Sequence, residues 1–117
     1  MKIINSELFL SLPAGIIYAY FKPVIFKGLF IKGDTIKDEN NKLIDYFFKN
    51  ILNEVSSNSS DEMFDIIFKR EIDGMSFNLD FDCYERDGLF DNDRKYAIYE
   101  KNDIENLINV LKENIGI

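Results

Sequence analysis

Lys42-Leu-Ile-Asp-Tyr-Phe-Phe-Lys-Asn-Ile-Leu-Asn-Glu-Val55 decides how this chain divides between helix and sheet. Its apolar residues Leu43, Ile44, Phe47, Phe48, Ile51, Leu52 and Val55 recur every three or four positions, which predicts an amphipathic helix over 42–55. Ser56 to Ser60 is then a short connector, ordinary between helices and too short to link domains. Ser59 with Glu62 reads as a capping box that opens a second helix to about Arg70, with Met63, Phe64, Ile67 and Phe68 on its buried side. After Gly74 the run Met75-Ser-Phe-Asn-Leu-Asp-Phe-Asp-Cys-Tyr84 alternates apolar and polar residues, the period of a strand. That strand buries Phe77, Leu79, Phe81 and Cys83 and shows Asn78, Asp80 and Asp82 on its other face.

Residues 85–93 read as an acidic hairpin loop in which Leu89 and Phe90 need shelter, and Arg94–Glu100 as the next strand. Asn102, with Glu105 three residues on, caps a last helix whose apolar stripe is Ile104, Leu107, Ile108, Leu111 and Ile115, ending at Gly116. Upstream of residue 42, the polar stretch 34–41 is expected to be a surface loop, and Gly33-Asp34 to close a strand over Val24–Lys32 with a bulge or tight turn at Lys27-Gly28. Ile16-Ile-Tyr-Ala-Tyr-Phe21 is β-branched and aromatic, apolar on both faces, and so a central strand. Asn5 or Ser6 caps a short first helix to Leu12 that buries Leu8, Phe9 and Leu12 and stops at Pro13-Ala-Gly15. The expected fold class is α+β: one domain spanning 1–117, a mainly antiparallel sheet of about four strands, and helices packed against it.

A chain of 117 residues with 46% hydrophobic composition and eleven Phe has material for one core. Its apolar runs are too short to span a membrane, no signal peptide is evident, and a single cysteine suits a reducing compartment, so a cytoplasmic location is expected. The formal charge is −7, and residues 61–93 alone hold eleven Asp/Glu against Lys69, Arg70 and Arg86, a balance of −8. Such acidity disfavours nucleic acid and anionic membranes as direct ligands and favours a cation or a basic protein surface; the plainer account is solubility.

The chain has no histidine, which removes the commonest general bases and metal ligands. Cys83, in the apolar phase of a strand, reads as a structural thiol. Asp80 and Asp82, with Cα atoms roughly 6.5–7 Å apart on a strand, could act as an acid/base pair, although carboxylates on a solvated strand face are common. Asp87, Asp91, Asn92 and Asp93 are hard oxygen ligands, but Lys95 and the missing twelfth-position Glu break the calcium-loop spacing. A turn that satisfies its own backbone donors accounts for them as well. Isolated Gly28, Gly33 and Gly88 give no phosphate-binding loop, and Tyr84, Tyr96 and Tyr99 read as sheet filling rather than a contact surface. No metal site, cofactor or catalytic residue is therefore assigned, and the chain is expected not to be an enzyme. The residues expected to contact a basic partner are Asp80, Asp82, Glu85, Asp87, Asp91 and Asp93. An exposed sheet edge at 24–32 or 94–100 is the competing route to a partner, by strand addition.

Ser11-Leu-Pro-Ala-Gly15, Ile31-Lys-Gly-Asp-Thr35, Asp80-Phe-Asp-Cys-Tyr-Glu-Arg-Asp-Gly-Leu-Phe-Asp91 and Tyr96-Ala-Ile-Tyr-Glu-Lys-Asn-Asp-Ile104, about a quarter of the chain, carry a resemblance to a known type of protein. They resemble small bacterial immunity proteins of contact-dependent growth inhibition and related polymorphic toxin systems. The resemblance implies a non-enzymatic cytoplasmic inhibitor that binds one cognate toxin domain, often a nuclease, and it transfers no binding residue by position. Two further classes remain open: a phage or mobile-element inhibitor of a nucleic-acid-binding complex acting by charge mimicry, and a small divalent-metal-binding protein.

Overall fold

The structure, a computed structural model, describes residues 1–88, 91 and 93–117. In chain order the elements are β1 (Lys2–Asn5), α1 (Ser6–Ser11), β2 (Ile17–Lys22), β3 (Ile25–Lys37), β4 (Leu43–Asn50), α2 (Ser60–Asp73), β5 (Tyr84–Arg86), β6 (Lys95–Ile98) and α3 (Lys101–Ile115). The fold is α+β, as expected, but its single antiparallel sheet has six strands rather than about four, in the order β1-β6-β2-β3-β4-β5. Among the described residues no helix is long and apolar enough to cross a membrane.

The largest correction concerns residues 42–55, which are not a helix. Leu43–Asn50 is β4, paired to β3 on one side and β5 on the other. The run Tyr46-Phe47-Phe48 satisfies both a 3.6 and a 2.0 period, and pairing decides between them: as a strand it puts Tyr46 and Phe48 into the core and Phe47 and Lys49 on the opposite face. Asn50 ends the strand by accepting hydrogen bonds from the N–H groups of Leu52 and Asn53 on its own side chain. The same pairing lengthens β3, which runs on through Gly33-Asp34 to Lys37 instead of stopping there. Gly33 marks close approach and not an end, because a Cβ there would press to 3.1 Å on the Phe47 side chain and carbonyl and on the Tyr84 ring. The bulge expected at Lys27-Gly28 is present: the β2–β3 register slips between Tyr18 and Tyr20, and Gly28 has φ of 79°.

β2 is central, as its two apolar faces predict, with Tyr18 turned to one side and Ala19 to the other, both fully buried. The two expected edges are not edges, since β3 lies between β2 and β4, and β6 between β1 and β2. Short β1 and β5 take those places instead. Asn5 caps α1 by accepting from the Leu8 N–H at 2.9 Å, and α1 lays Phe9 and Leu10 on the sheet while Leu8 stays half exposed. Phe9 stacks on Tyr96 with centroids 3.8 Å apart and meets Tyr18 and Tyr46 edge-on at 4.7 and 4.9 Å. Phe30, Phe48 and Tyr20 complete this aromatic core, in which burial holds the phenols of Tyr18, Tyr46 and Tyr96 protonated.

α2 and α3 do not follow the expectation of helices packed on the sheet: neither contains a buried residue. Met63, Phe64, Ile67 and Phe68 are half buried or exposed. Ser59 does cap α2, accepting from the Glu62 N–H, but the Glu62 carboxylate reaches back to the Asn58 N–H and not to Ser59. α3 is capped two residues earlier than expected, by Glu100 and Asp103 in place of Asn102 and Glu105.

Lys32 is the one fully buried cation among the described residues. Its ammonium donates to the Gly33 carbonyl at 3.1 Å and to Thr35 Oγ1 at 2.6 Å, near the Phe9 ring. Burial holds its pKa below the ordinary value, with the charge of Asp34 opposing. Thr35 keeps its own bond to the Leu10 carbonyl, so Lys32→Met orphans little and is expected to stabilise by about 1 kcal/mol at neutral pH. Between the lowered folded pKa and the unfolded value the folded chain binds fewer protons, so wild-type stability rises with pH across that window and the variant's advantage shrinks. Urea midpoints at pH 7 and at alkaline pH check both; a destabilised variant at pH 7 sinks the assignment of a net desolvation penalty.

Candidate protein-binding surface

The strand expected over 75–84 forms only a single bridge, Val55 to Leu79, flanked by hydrogen bonds from Ser56 N–H to the Asn78 carbonyl and from Asp80 N–H to the Glu54 carbonyl, both 2.9 Å. Regular strand begins at Tyr84. The Asp80 carboxylate accepts from the Asp82 N–H at 2.8 Å, a local turn that competes with ladder pairing and ends the alternation. Asp80 and Asp82 therefore do not share a strand face. Phe77, Leu79 and Phe81, expected inside, are exposed, and Cys83 is half buried.

The six acidic residues singled out from the sequence separate into three groups. Asp80 and Asp82 lie on the strap, the segment 74–83 between α2 and β5, and Glu85 lies on β5 itself. Asp82 pairs with Lys49 Nζ at 2.5 Å, and that ammonium also sits 4.6 Å from the centre of the Tyr84 ring. The Lys49 hydrogen bond holds the Asp82 carboxyl below its ordinary value. Asp91 and Asp93 line a different feature, a cavity of about 490 Å³ shared with Lys22, Lys27, Arg94 and Lys95. There the Asp91 carboxylate accepts from the Asp93 N–H.

Asp87 is neither exposed nor available. Its side chain is 5% exposed, takes both oxygens to Arg94 at 2.9 Å, and accepts from the Tyr20 hydroxyl at 3.0 Å. The arginine lies over the Tyr20 ring as well. This removes Asp87 from a contact surface and from the oxygen-ligand loop. Leu89, Phe90 and Asn92, expected in that loop, fall outside the described residues.

Two acidic residues were missed because both lay inside the stretch read as a helix. Asp45 is buried and accepts from Arg86 Nε at 2.6 Å and from the N–H groups of Tyr46 and Gly88. Burial alone would raise its carboxyl, but Arg86 and these donors outweigh it and hold the pKa low. Glu54 stands beside Cys83 and Glu85, with possible ligand atoms all within 4.8 Å of one another. Burial raises the Glu54 carboxyl, and the Glu85 charge adds to it; burial likewise pushes up the Cys83 thiol.

Large apolar side chains stand open to solvent on α2 and on residues 75–81. Phe64 and Phe68 of α2, whose rings lie 6.4 Å apart, and Met75, Phe77 and Phe81 of the strap are all exposed, Phe68 and Phe81 by 60% and 59%. Residues 75–85 thus carry acidic and aromatic side chains side by side, unlike the singly scattered apolar residues of an ordinary exterior. Tyr84 stands among these exposed rings, whereas Tyr96 fills the core as expected. No family model, curated protein or solved structure matches the chain.

Proposed function

We propose that the chain is an immunity or inhibitor protein that acts in the cytoplasm without catalysis, capturing one toxin domain with a basic active-site surface. The observation that carries this reading is the alternation of Asp80, Asp82 and Glu85 with exposed Phe77, Phe81 and Tyr84 along one short segment. Acid alone serves solubility; aromatic side chains left in water beside it destabilise an isolated monomer and supply the anchors of a protein interface. The carboxylates steer a basic surface to this face and the rings hold it. A nuclease bound this way has its phosphate site covered.

The contact set is Asp80, Asp82, Glu85, Asp91 and Asp93, with Asp87 reassigned to the interior. Co-expression with a cognate toxin domain that arrests a bacterial host is expected to restore the host's growth. Asp80→Asn, Asp82→Asn and Glu85→Gln together should weaken binding on the order of tenfold or more and flatten its salt dependence. Full affinity and an unchanged salt slope in that triple variant, with the fold intact by circular dichroism, would reject the acidic surface as the binding site.

A further inference from the structure

Within the acidic contact set, Asp82 alone already carries a cation among the described residues. Its side chain is 85% exposed, whereas that of Lys49, which donates to it, is only 18% exposed. The sheet fixes the lysine there: β4 pairs Lys49 with Ile31 of β3 on one side and with Tyr84 of β5 on the other. Residues directly opposite on neighbouring strands bring their side chains together on one face, and so the ammonium also lies 4.6 Å from the centre of the Tyr84 ring. One cation thus occupies a carboxylate and an aromatic ring at once. The Asp82 hydrogen bond raises the ammonium's pKa just as it lowers the carboxyl's, so both groups are ionised at neutral pH.

This is a cation site whose occupant the chain itself supplies, and the occupant fills it incompletely. Lys49 reaches Asp82 Oδ1, while Oδ2 accepts no hydrogen bond among the described residues. An ammonium is a point donor; a guanidinium donates to both oxygens of a carboxylate and lies flat against a ring. The interior of the same chain holds the fuller arrangement, in which Arg94 donates to Asp87 Oδ1 and Oδ2 and lies over Tyr20. The Lys49–Asp82 pair is also open to water on its acidic side, and a pair so exposed adds little to the fold.

We propose that Asp82 and Tyr84 form the seat for one arginine of the basic partner, and that Lys49, which holds this seat in the free chain, is displaced when the partner binds. The proposal rests on reading the acidic surface as the binding site, and adds the cation that is recognised and the competitor it expels. Binding then discriminates. An incoming lysine gains nothing over the lysine already present, whereas an arginine gains a second hydrogen bond and a stacked ring.

Tetra-arginine and tetra-lysine, titrated into the isotopically labelled full chain and followed by the amide resonances of Asp82, Tyr84 and Glu85, test it. At physiological ionic strength charges more than about 8 Å apart are largely screened. Lys49→Met keeps the stem and removes the competitor, and is expected to bind tetra-arginine about three- to fivefold more tightly than the wild type, the factor that an exposed pair withholds. Lys37→Met removes the same charge about 20 Å away along the strands, at the far end of β3, and is expected to match the wild type. Adding Asp82→Asn to Lys49→Met is expected to abolish the gain. Tetra-lysine is expected to bind the wild type more weakly than tetra-arginine, a comparison that needs no variant. Equal affinity of Lys49→Met and Lys37→Met overturns the displacement, and equal affinity of the two peptides for the wild type overturns the arginine seat; the acidic surface then still stands as the binding site. If those three resonances move in no chain, the acidic-surface reading falls and this inference with it.

Discussion

Phe9→Ala is expected to destabilise the chain by about 3–5 kcal/mol, enough to unfold most of a domain of ordinary stability at 25 °C. Phe9, with Leu10 beside it, is the main contact through which the only core-packed helix among the described residues meets the sheet. It is fully buried, stacked on Tyr96 from β6 and in edge contact with Tyr18 from β2 and Tyr46 from β4. Truncation empties a space bounded by three rigid rings that cannot close over it, so the transfer loss and the cavity add. It also removes ring–ring terms of about 0.5–1.5 kcal/mol each. Phe9→Leu, which keeps most of the volume, should lose only about 1.5 kcal/mol. Urea unfolding followed by tyrosine fluorescence reads both. A loss below about 1 kcal/mol for Phe9→Ala would mean that α1 is not the lid of this core.

Asp87→Ala is expected to lose about 3 kcal/mol, most of it from what the substitution leaves behind. Without the carboxylate, the part-buried Arg94 guanidinium and the Tyr20 hydroxyl have lost their common acceptor. Removing both charges is milder than the sum of the single changes, so a cycle with Arg94→Ala should show a coupling of about 2 kcal/mol. The cycle separates two meanings of one residue. If Asp87 were a contact carboxylate, as the charge pattern implies, its loss would weaken partner binding and spare stability. The buried geometry reverses that order, and a fully stable Asp87→Ala that binds poorly would restore the contact role.

The elements that could be read from the sequence are those governed by local physics. Asn5, Ser59 and Gly28 each do what their backbone chemistry favours, capping or bulging, and the two-sided apolarity of Ile16–Phe21 marks a central strand. Residues 42–55 failed because three consecutive aromatics satisfy either period, and only the presence of β3 and β5 on both sides makes the extended form the one that satisfies its backbone. The misreading propagated. It hid Asp45, Glu54 and Lys49, it shortened β3 at Gly33, and it left β3 as an apparent edge, while β6 looked like an edge because β1 was not read as a strand. Residues 75–84 failed for the opposite reason: perfect alternation, yet Asp80 turns the chain onto its own backbone, and before Tyr84 the one ladder contact is the bridge at Leu79.

By itself, then, the sequence determined the fold class, the concentration of acid between residues 61 and 93, the caps, and the absence of imidazole chemistry, all of which depend on residue identity or on neighbours a few positions away. The tertiary structure alone decided which acids are available. Asp87 and Asp45 are held inside by Arg94 and Arg86, while Asp80, Asp82 and Glu85 stay at the surface among exposed rings. The physical reason is that burial and ion pairing are properties of residues far apart in the chain, and a carboxylate's sequence carries its charge but not its partner.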